Sequence, residues 1–138
     1  MGTTSETIVV DDGEEICVLY GSCDGYLSGH GKELVDFLKT RKVVNGWGNS
    51  TPKGIMEANG AGCPAAQLVA HFKNQFPVGG YYLSPVVPSR RNADFVYVVT
   101  VRSDNAIHLL ARSSDTIYYE GPVVTFQEWA QPFESAND

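Results

Sequence analysis

The chain has 138 residues, of which 43% are hydrophobic and 19% are charged, and its net charge at pH 7 is −6. This length and composition predict a single globular domain with its own core and exclude a disordered chain. The acidic balance disfavours a nonspecific grip on nucleic acid or on an anionic membrane, because such binding needs clustered Lys and Arg side chains.

The N-terminal half contains a predicted hairpin and a predicted helix. Residues 7–21, TIVVDDGEEICVLYG, have two apolar runs around DDGE, which favours two antiparallel strands with a tight turn. Residues 32–42, KELVDFLKTRK, predict a helix, because acidic residues precede basic ones along it. Its apolar residues also fall at helical spacing and form the stripe Leu34, Val35, Phe37 and Leu38.

The middle of the chain predicts a loop, a second helix and a strand. Residues 43–62 are rich in Gly and Asn and are expected to be irregular. A helix is predicted to begin at Cys63-Pro64, since proline is favoured at the first helical position. Residues 81–87, YYLSPVV, then predict a strand. The buried stripe expected on the second helix is Leu68, Val69, Phe72 and Phe76.

Three further strands are predicted in residues 95–121, joined by turns at SDN and SSD. A three-residue turn over Ser103 to Asn105 gathers apolar side chains on one face. The strand partners are then Val101 with Ile107, Val99 with Leu109 and Tyr97 with Ala111. A short C-terminal helix is expected to begin at Thr125, where TFQE forms a capping box.

These elements predict an α+β fold, with an antiparallel sheet of about six strands and two main helices packed on one face in the order β2-α2-β4. The whole chain, residues 1–138, is expected to be one domain, with frayed ends over 1–6 and 134–138. The three cysteines lack CxxC spacing, and no apolar stretch is long enough to cross a bilayer. We therefore expect a reduced, cytoplasmic protein without a membrane partner.

Two Gly-rich runs carry the functional prediction: residues 21–31, GSCDGYLSGHG, and residues 57–63, EANGAGC. Each ends where a helix is predicted to begin, and unpaired N–H groups at a helix start favour an anion such as phosphate. Two arginines in a later loop could add bidentate contacts. The predicted ligand-binding residues are Gly25, Tyr26, Ser28, Gly29, His30, Gly31, Lys32, Asn59, Gly60, Gly62, Arg90 and Arg91.

Three alternatives compete with an anion site. The glycines could simply permit turns and close packing, and neither run matches a standard nucleotide fingerprint. A zinc site from Cys23, His30, Cys63 and His71 lacks the usual short ligand spacing, and His71 is expected on the exposed face of its helix, so no metal is predicted. A thiol hydrolase would pair Cys23 or Cys63 with His30. We predict no cofactor and no catalytic residue.

The stretches DGYLSGHGKELVDFL, VNGWG and ANGAGCPAAQLVAHFK resemble a group of small uncharacterised phage and bacterial proteins. The resemblance spans about residues 7–83, and Leu27 stands where the group has proline. It implies a viral or mobile-element setting and implies that both Gly-rich runs belong to one recurrent unit. It brings no activity that could be assigned to a residue.

The sequence thus predicts a noncatalytic binding module for a small anionic ligand, such as a nucleotide or a nucleotide-derived signal, held at the two Gly-rich helix starts. In a phage setting such a protein could sequester a host defence signal. The second hypothesis is an interaction protein that self-assembles, or inhibits a protein partner, through a sheet edge and its tyrosines. The third is the small Cys/His hydrolase.

Overall fold

The computed structural model describes residues 2–46, 54–86 and 93–124. A six-stranded sheet, a separate pair of short strands and two α-helices make up these residues, which confirms the α+β class. The elements in chain order are β1 (Ser5–Asp11), β2 (Glu14–Gly21), a π-helical turn (Leu27–Gly31), α1 (Lys32–Leu38), β3 (Arg41–Val44), β4 (Met56–Asn59), α2 (Gly62–Gln75), β5 (Tyr81–Ser84), β6 (Phe95–Val101), β7 (Ile107–Ser113) and β8 (Thr116–Val123).

The large sheet has the strand order β5-β2-β1-β6-β7-β8. Six strands were predicted and are present, but the prediction that they are all antiparallel is wrong, because β1 and β6 run parallel. These two strands carry the near-continuous apolar runs TIVV and FVYVV, and such strands are typical of a sheet centre that is covered on both faces. The hairpin β1–β2 and the meander β6–β7–β8 therefore join through their most apolar strands.

Local turn chemistry sets the register on both sides of this junction. Asp12 and Gly13, with φ of 47° and 109°, form the predicted turn between β1 and β2. Between β6 and β7 the predicted partners are confirmed, including Val99 opposite Leu109 and Tyr97 opposite Ala111. The strand β1 begins at Ser5, inside the segment 1–6 that was predicted to be frayed, because it pairs with β2 and β6 on its two sides.

Side chains of both helices share one core with the sheet. Leu34 and Phe37 of α1 and Leu68 and Phe72 of α2 are buried in the same cluster as Tyr97 of β6. The predicted stripe of the first helix is confirmed in full. In the second helix Phe76 was predicted to be buried but is 42% exposed, because α2 ends at Gln75 and the backbone leaves the helical conformation at Phe76.

The segment between the helices contains more structure than was predicted. The short strands β3 and β4 pair in parallel, so Arg41 belongs to a strand and not to the first helix. The helix α1 ends earlier because the Thr40 hydroxyl donates to the Phe37 carbonyl at 2.8 Å. None of the helices in the described ranges has the length and apolar character that crossing a membrane needs. The predicted C-terminal helix and the frayed end 134–138 lie outside the described residues.

Candidate functional site

An open cavity of about 710 Å³ lies between the π-helical turn, α1 and the end of α2. Its volume is in the range of pockets that hold small ligands. The lining includes five residues of the first Gly-rich run and its continuation that were predicted to bind a ligand: Tyr26, Ser28, Gly29, His30 and Lys32. The structure therefore brings these predicted residues to one concave surface.

The second Gly-rich run lies elsewhere. The cavity contacts the end of α2, at His71 and Gln75, whereas Gly62 is the first residue of that helix. A helix of 14 residues separates its two ends by about 20 Å. Asn59 accepts a hydrogen bond from the Gly46 N–H at 2.9 Å, beyond the end of β3.

Gly60 is tied to the same place, since its N–H donates to the Val44 carbonyl at 3.0 Å. Asn59, Gly60 and Gly62 are thus not brought to the cavity, and the two Gly-rich runs do not share one pocket. Arg90 and Arg91 lie outside the described residues.

Three backbone N–H groups of the first run, those of Gly29, His30 and Gly31, are already used inside the turn. The Gly29 and Gly31 N–H groups donate to the Tyr26 carbonyl at 3.0 and 3.3 Å, and the His30 N–H donates to the Asp24 carbonyl at 2.8 Å. These amides hold the π-helical turn together, so they are not directed at a ligand. The predicted anion cradle of backbone N–H groups is therefore wrong for this run, and its side chains are what face the cavity.

Close packing explains the glycines of the first run. A Cβ atom on Gly25 would lie 2.6 Å from the Thr4 carbonyl oxygen, and one on Gly29 would lie 2.6 Å from the Asp24 carbonyl oxygen. A Cβ atom on Gly31 would lie 2.9 Å from the Tyr97 hydroxyl. Since real Cβ contacts are not this short, the alternative that these glycines permit close packing fits all three.

Tyr97 of β6 holds the first Gly-rich run against the large sheet. Its side chain is fully buried, and its hydroxyl donates to the Gly25 carbonyl at 2.7 Å. A buried carbonyl that lost this donor would carry an unsatisfied acceptor, which is costly. Tyr97 thus fixes the position of the turn that holds the cavity-lining side chains.

His30 is the buried polar centre of the site, only 2% exposed. Its Nε2 atom lies 2.6 Å from the Thr7 hydroxyl and its Nδ1 atom lies 2.9 Å from the Tyr81 hydroxyl. Burial lowers the pKa of His30 to about 3, so the ring is neutral at pH 7, donating through one nitrogen and accepting at the other.

Tyr81 stays protonated for a related reason. Burial, and then the negative charges of Glu33, Cys23 and Asp24, raise the pKa of the Tyr81 phenol. Thr7, His30 and Tyr81 therefore form a neutral hydrogen-bonded chain from β1 to β5. This chain positions the wall of the cavity and carries no net charge.

Charged side chains from α1 and β3 line the rest of the cavity. Lys32 contacts the Asp36 carboxylate at 2.9 Å, and Lys39 contacts the same carboxylate at 3.3 Å. The guanidinium group of Arg41 lies 4.0 Å from the centre of the Phe37 ring. The wall therefore presents two cations, Lys32 and Arg41, beside the carboxylates of Asp24, Glu33 and Asp36.

His71 departs from its prediction. It was expected on the exposed face of the second helix, but it is half-buried and its ring lies 5.1 Å from that of Phe37 and 5.0 Å from that of Phe72. Its Nε2 atom lies 3.5 Å from the Glu33 carboxylate, which also accepts a hydrogen bond from Gln75. This face of α2 packs against α1, a contact that helical spacing alone does not reveal.

Neither alternative chemistry gains support from this geometry. Both ring nitrogens of His30 are engaged by hydroxyl groups, so the ring has no nitrogen left for a cysteine thiol. Cys63 is the second residue of α2, at the end remote from the cavity. Within residues 2–46, 54–86 and 93–124, no three His, Cys, Asp or Glu side chains are grouped to hold a metal ion.

Sequence reasoning missed Glu33, Asp36, Arg41, Gln75 and Tyr81 as lining residues. The helical spacing of Lys32 and Asp36 was a usable signal, because residues four apart share a helix face. No pattern in the sequence of α2 indicated that the end of this helix lines the cavity. Comparisons with known proteins add nothing further, since no family model, no curated protein and no solved structure matches the chain.

Proposed function

We propose that the protein is a noncatalytic binding module that holds a small anionic ligand in the cavity beside the π-helical turn. The observation that carries the proposal is the gathering of Tyr26, Ser28 and Lys32 around a cavity of about 710 Å³. This differs from a site shared by two helix starts, because the second Gly-rich run lies at the other end of α2.

Two cations of the lining, Lys32 and Arg41, are the groups that can hold an anion, and three carboxylates, those of Asp24, Glu33 and Asp36, line the same cavity. The side chains of Lys32 and Asp36 are 43% and 44% exposed, and ion pairs this exposed contribute little stability. A phosphate group can therefore replace the Asp36 carboxylate as the partner of Lys32 at small cost. Arg41 is held by the Phe37 ring and by Gln67 at 2.9 Å, which presents its planar donor group in one orientation.

Aromatic side chains favour a nucleotide, or a signal derived from one, as the anion. Phe76 lines the cavity with 42% of its surface exposed, and Tyr26 lines it beside Ser28. Aromatic faces of this kind stack on nucleobases without reading their sequence. Base stacking and phosphate binding are then supplied by different walls of one cavity.

The proposed role is stoichiometric capture and not turnover. The buried His30 has both ring nitrogens engaged, and the other histidine of the lining, His71, packs between Phe37 and Phe72 beside the Glu33 carboxylate, so neither is assigned a catalytic role. Capture of a host defence signal in a cytoplasmic, phage-encoded setting stays a prediction, since it depends on the resemblance of the Gly-rich runs.

Replacing Lys32 tests the anion site. We expect Lys32→Gln to weaken nucleotide binding about tenfold, because it removes a charge-assisted hydrogen bond worth about 1.5 kcal/mol. Isothermal calorimetry with ATP, AMP, cyclic AMP and pyrophosphate measures the effect. Lys42→Gln is the matched control, since Lys42 is exposed on β3 and does not line the cavity. Equal affinities of the two variants, or no heat from any of these ligands at millimolar concentration, would contradict the proposal.

Replacing Asp36 should have the opposite effect. Asp36→Asn releases Lys32 and Lys39 from a competing carboxylate, so we expect anion affinity to rise about two- to fivefold, the scale of an exposed ion pair. Asp115→Asn removes the same charge from an exposed turn between β7 and β8 and controls for net charge. If anion affinity rises equally in both variants, the effect comes from the net charge of the protein and not from the release of Lys32, which would contradict the prediction.

A further inference from the structure

Among the strands in the described ranges, β5 forms one edge of the large sheet and pairs only with β2. The Ser22 N–H donates to the Gly80 carbonyl at 2.9 Å, just before the paired stretch begins. In an antiparallel pair, hydrogen-bonded and non-hydrogen-bonded positions alternate along the strand. The backbone groups of Tyr82 therefore point toward β2, whereas those of Tyr81 and Leu83 point toward the open edge.

The outward groups of Tyr81 are already satisfied. Its N–H donates to the Gly79 carbonyl at 2.8 Å, and its carbonyl accepts a hydrogen bond from Lys73 at 2.9 Å. Pro85, the next residue with this orientation after Leu83, has no N–H. Within the described part of β5, Leu83 is thus the residue that offers both a donor and an acceptor to the edge.

The surface around Leu83 is largely apolar, and the ammonium group of Lys73 reaches it at the Tyr81 carbonyl. Leu83 is 68% exposed, Tyr82 53% and Val78 93%. No charged residue occurs from Phe76 to Val86, although the chain as a whole carries a net charge of −6. Two copies of this strand can therefore meet at Leu83 with no charged residue of the strand itself at the contact.

The opposite edge of the sheet is protected in the usual ways. The strand β8 contains Glu120 and Pro122, and its pairing with β7 is interrupted by a bulge at Ala111 and Arg112. Charges, prolines and bulges are the devices by which proteins block pairing at sheet edges. Within the part of the chain that the structure describes, the contrast singles out β5 as the edge of the large sheet that is open to another strand.

We infer that β5 pairs with β5 of a second copy of this chain, antiparallel, with the two-fold axis at Leu83. Leu83 and Leu83 of the partner subunit then form a hydrogen-bonded pair, which exchanges two hydrogen bonds. Pairing stops there, because Lys73 covers Tyr81 and Pro85 lacks an N–H. The contact uses the same patch on both copies, so it closes as a dimer and does not grow into a fibre.

Light scattering after size exclusion tests this inference, which does not depend on the proposed ligand. We expect the wild-type protein to have twice the 15.0 kDa mass of the chain at high concentration. Leu83→Lys should weaken dimerisation at least tenfold, since it sets two ammonium groups against each other at the axis. Ile117→Lys, at a residue of β8 that is 55% exposed, is the matched control and should dimerise as the wild type does. A wild-type monomer up to millimolar concentration, or equal effects of the two lysines, overturns the inference.

The register has its own test. Hydrogen-bonded antiparallel partners have Cα atoms about 5.5 Å apart, which suits a disulfide. In a Cys23→Ser background, Leu83→Cys should be cross-linked by diamide into a covalent dimer, and Ser84→Cys should not. Cross-linking through Ser84→Cys alone would overturn the two-fold axis at Leu83.

Discussion

Replacing His30 with glutamine is expected to make the free energy of unfolding less dependent on pH between pH 7 and pH 5. The folded protein keeps His30 neutral, because burial lowers its pKa to about 3. In the unfolded chain a histidine has a pKa of about 6.5. Between these values the unfolded state binds a proton that the folded state does not, so His30 contributes stability above pH 6.5 that is lost as the pH falls toward 3.

The size of this effect follows from the same two pKa values. Each pH unit below 6.5 costs the wild type about 1.4 kcal/mol through His30. The His30→Gln variant should be less stable at pH 7, because its side chain cannot bridge Thr7 and Tyr81 in the same way. Its deficit relative to wild type should shrink by about 2 kcal/mol at pH 5.

Urea unfolding of both proteins at pH 7 and pH 5 measures the change. The wild-type His30 ring resonances, followed by NMR, should show no titration from pH 8 to pH 5. A His30 titration midpoint near pH 6.5, or a deficit that is the same at both pH values, would contradict the neutral hydrogen-bonded chain.

Gly31→Ala should destabilise the protein by about 2 kcal/mol, as overpacking of a rigid core does. The added Cβ would lie 2.9 Å from the Tyr97 hydroxyl and 3.1 Å from a ring carbon. Tyr97 cannot move aside, because its side chain is fully buried and its hydroxyl donates a hydrogen bond to the Gly25 carbonyl. Tyr97→Phe alone should cost about 1–3 kcal/mol, since that carbonyl loses its donor.

The double variant Gly31→Ala/Tyr97→Phe distinguishes a clash with the Tyr97 hydroxyl from a loss of stability that any substitution in the turn would cause. Removal of the Tyr97 hydroxyl gives the methyl group of Gly31→Ala room. The double variant should therefore lose less stability than the two single variants together, by at least about 1 kcal/mol. Gly62→Ala is the control, because its Cβ would meet nothing within 4 Å and alanine favours helices. Strictly additive losses in thermal or urea unfolding would show that Gly31 is not packed against Tyr97.

The predictable parts of the fold are those that neighbouring residues determine. The turn at Asp12 and Gly13 and the register of β6 with β7 follow from alternation along short stretches of chain. The parallel pairing of β1 with β6 does not, because it joins segments about ninety residues apart and the same apolar runs would fit an antiparallel neighbour equally well. The short strands β3 and β4 were missed for a different reason, because each has only four residues and so carries a weak alternating pattern.

The sequence indicated one wall of the cavity, the first Gly-rich run, and not its other walls. Residues of the first Gly-rich run line the cavity, but backbone N–H groups of this run donate to the carbonyls of Asp24 and Tyr26 and not to a ligand. Lys32 was predicted, whereas Arg41 and His71 join it through the packing of α1, β3 and α2. Helix starts that look alike in sequence are separated here by the length of a helix, which only the tertiary structure reveals.

A chemical-shift titration with nucleotides tests the central claim most directly. If a small anion binds in the cavity, the amide signals of Ser28, Lys32 and Arg41 shift on addition of ATP or cyclic AMP, and those of Gly60 and Gly62 do not. Shifts confined to Gly60 and Gly62, or no shift at any of these residues at millimolar nucleotide, would contradict the cavity as the binding site.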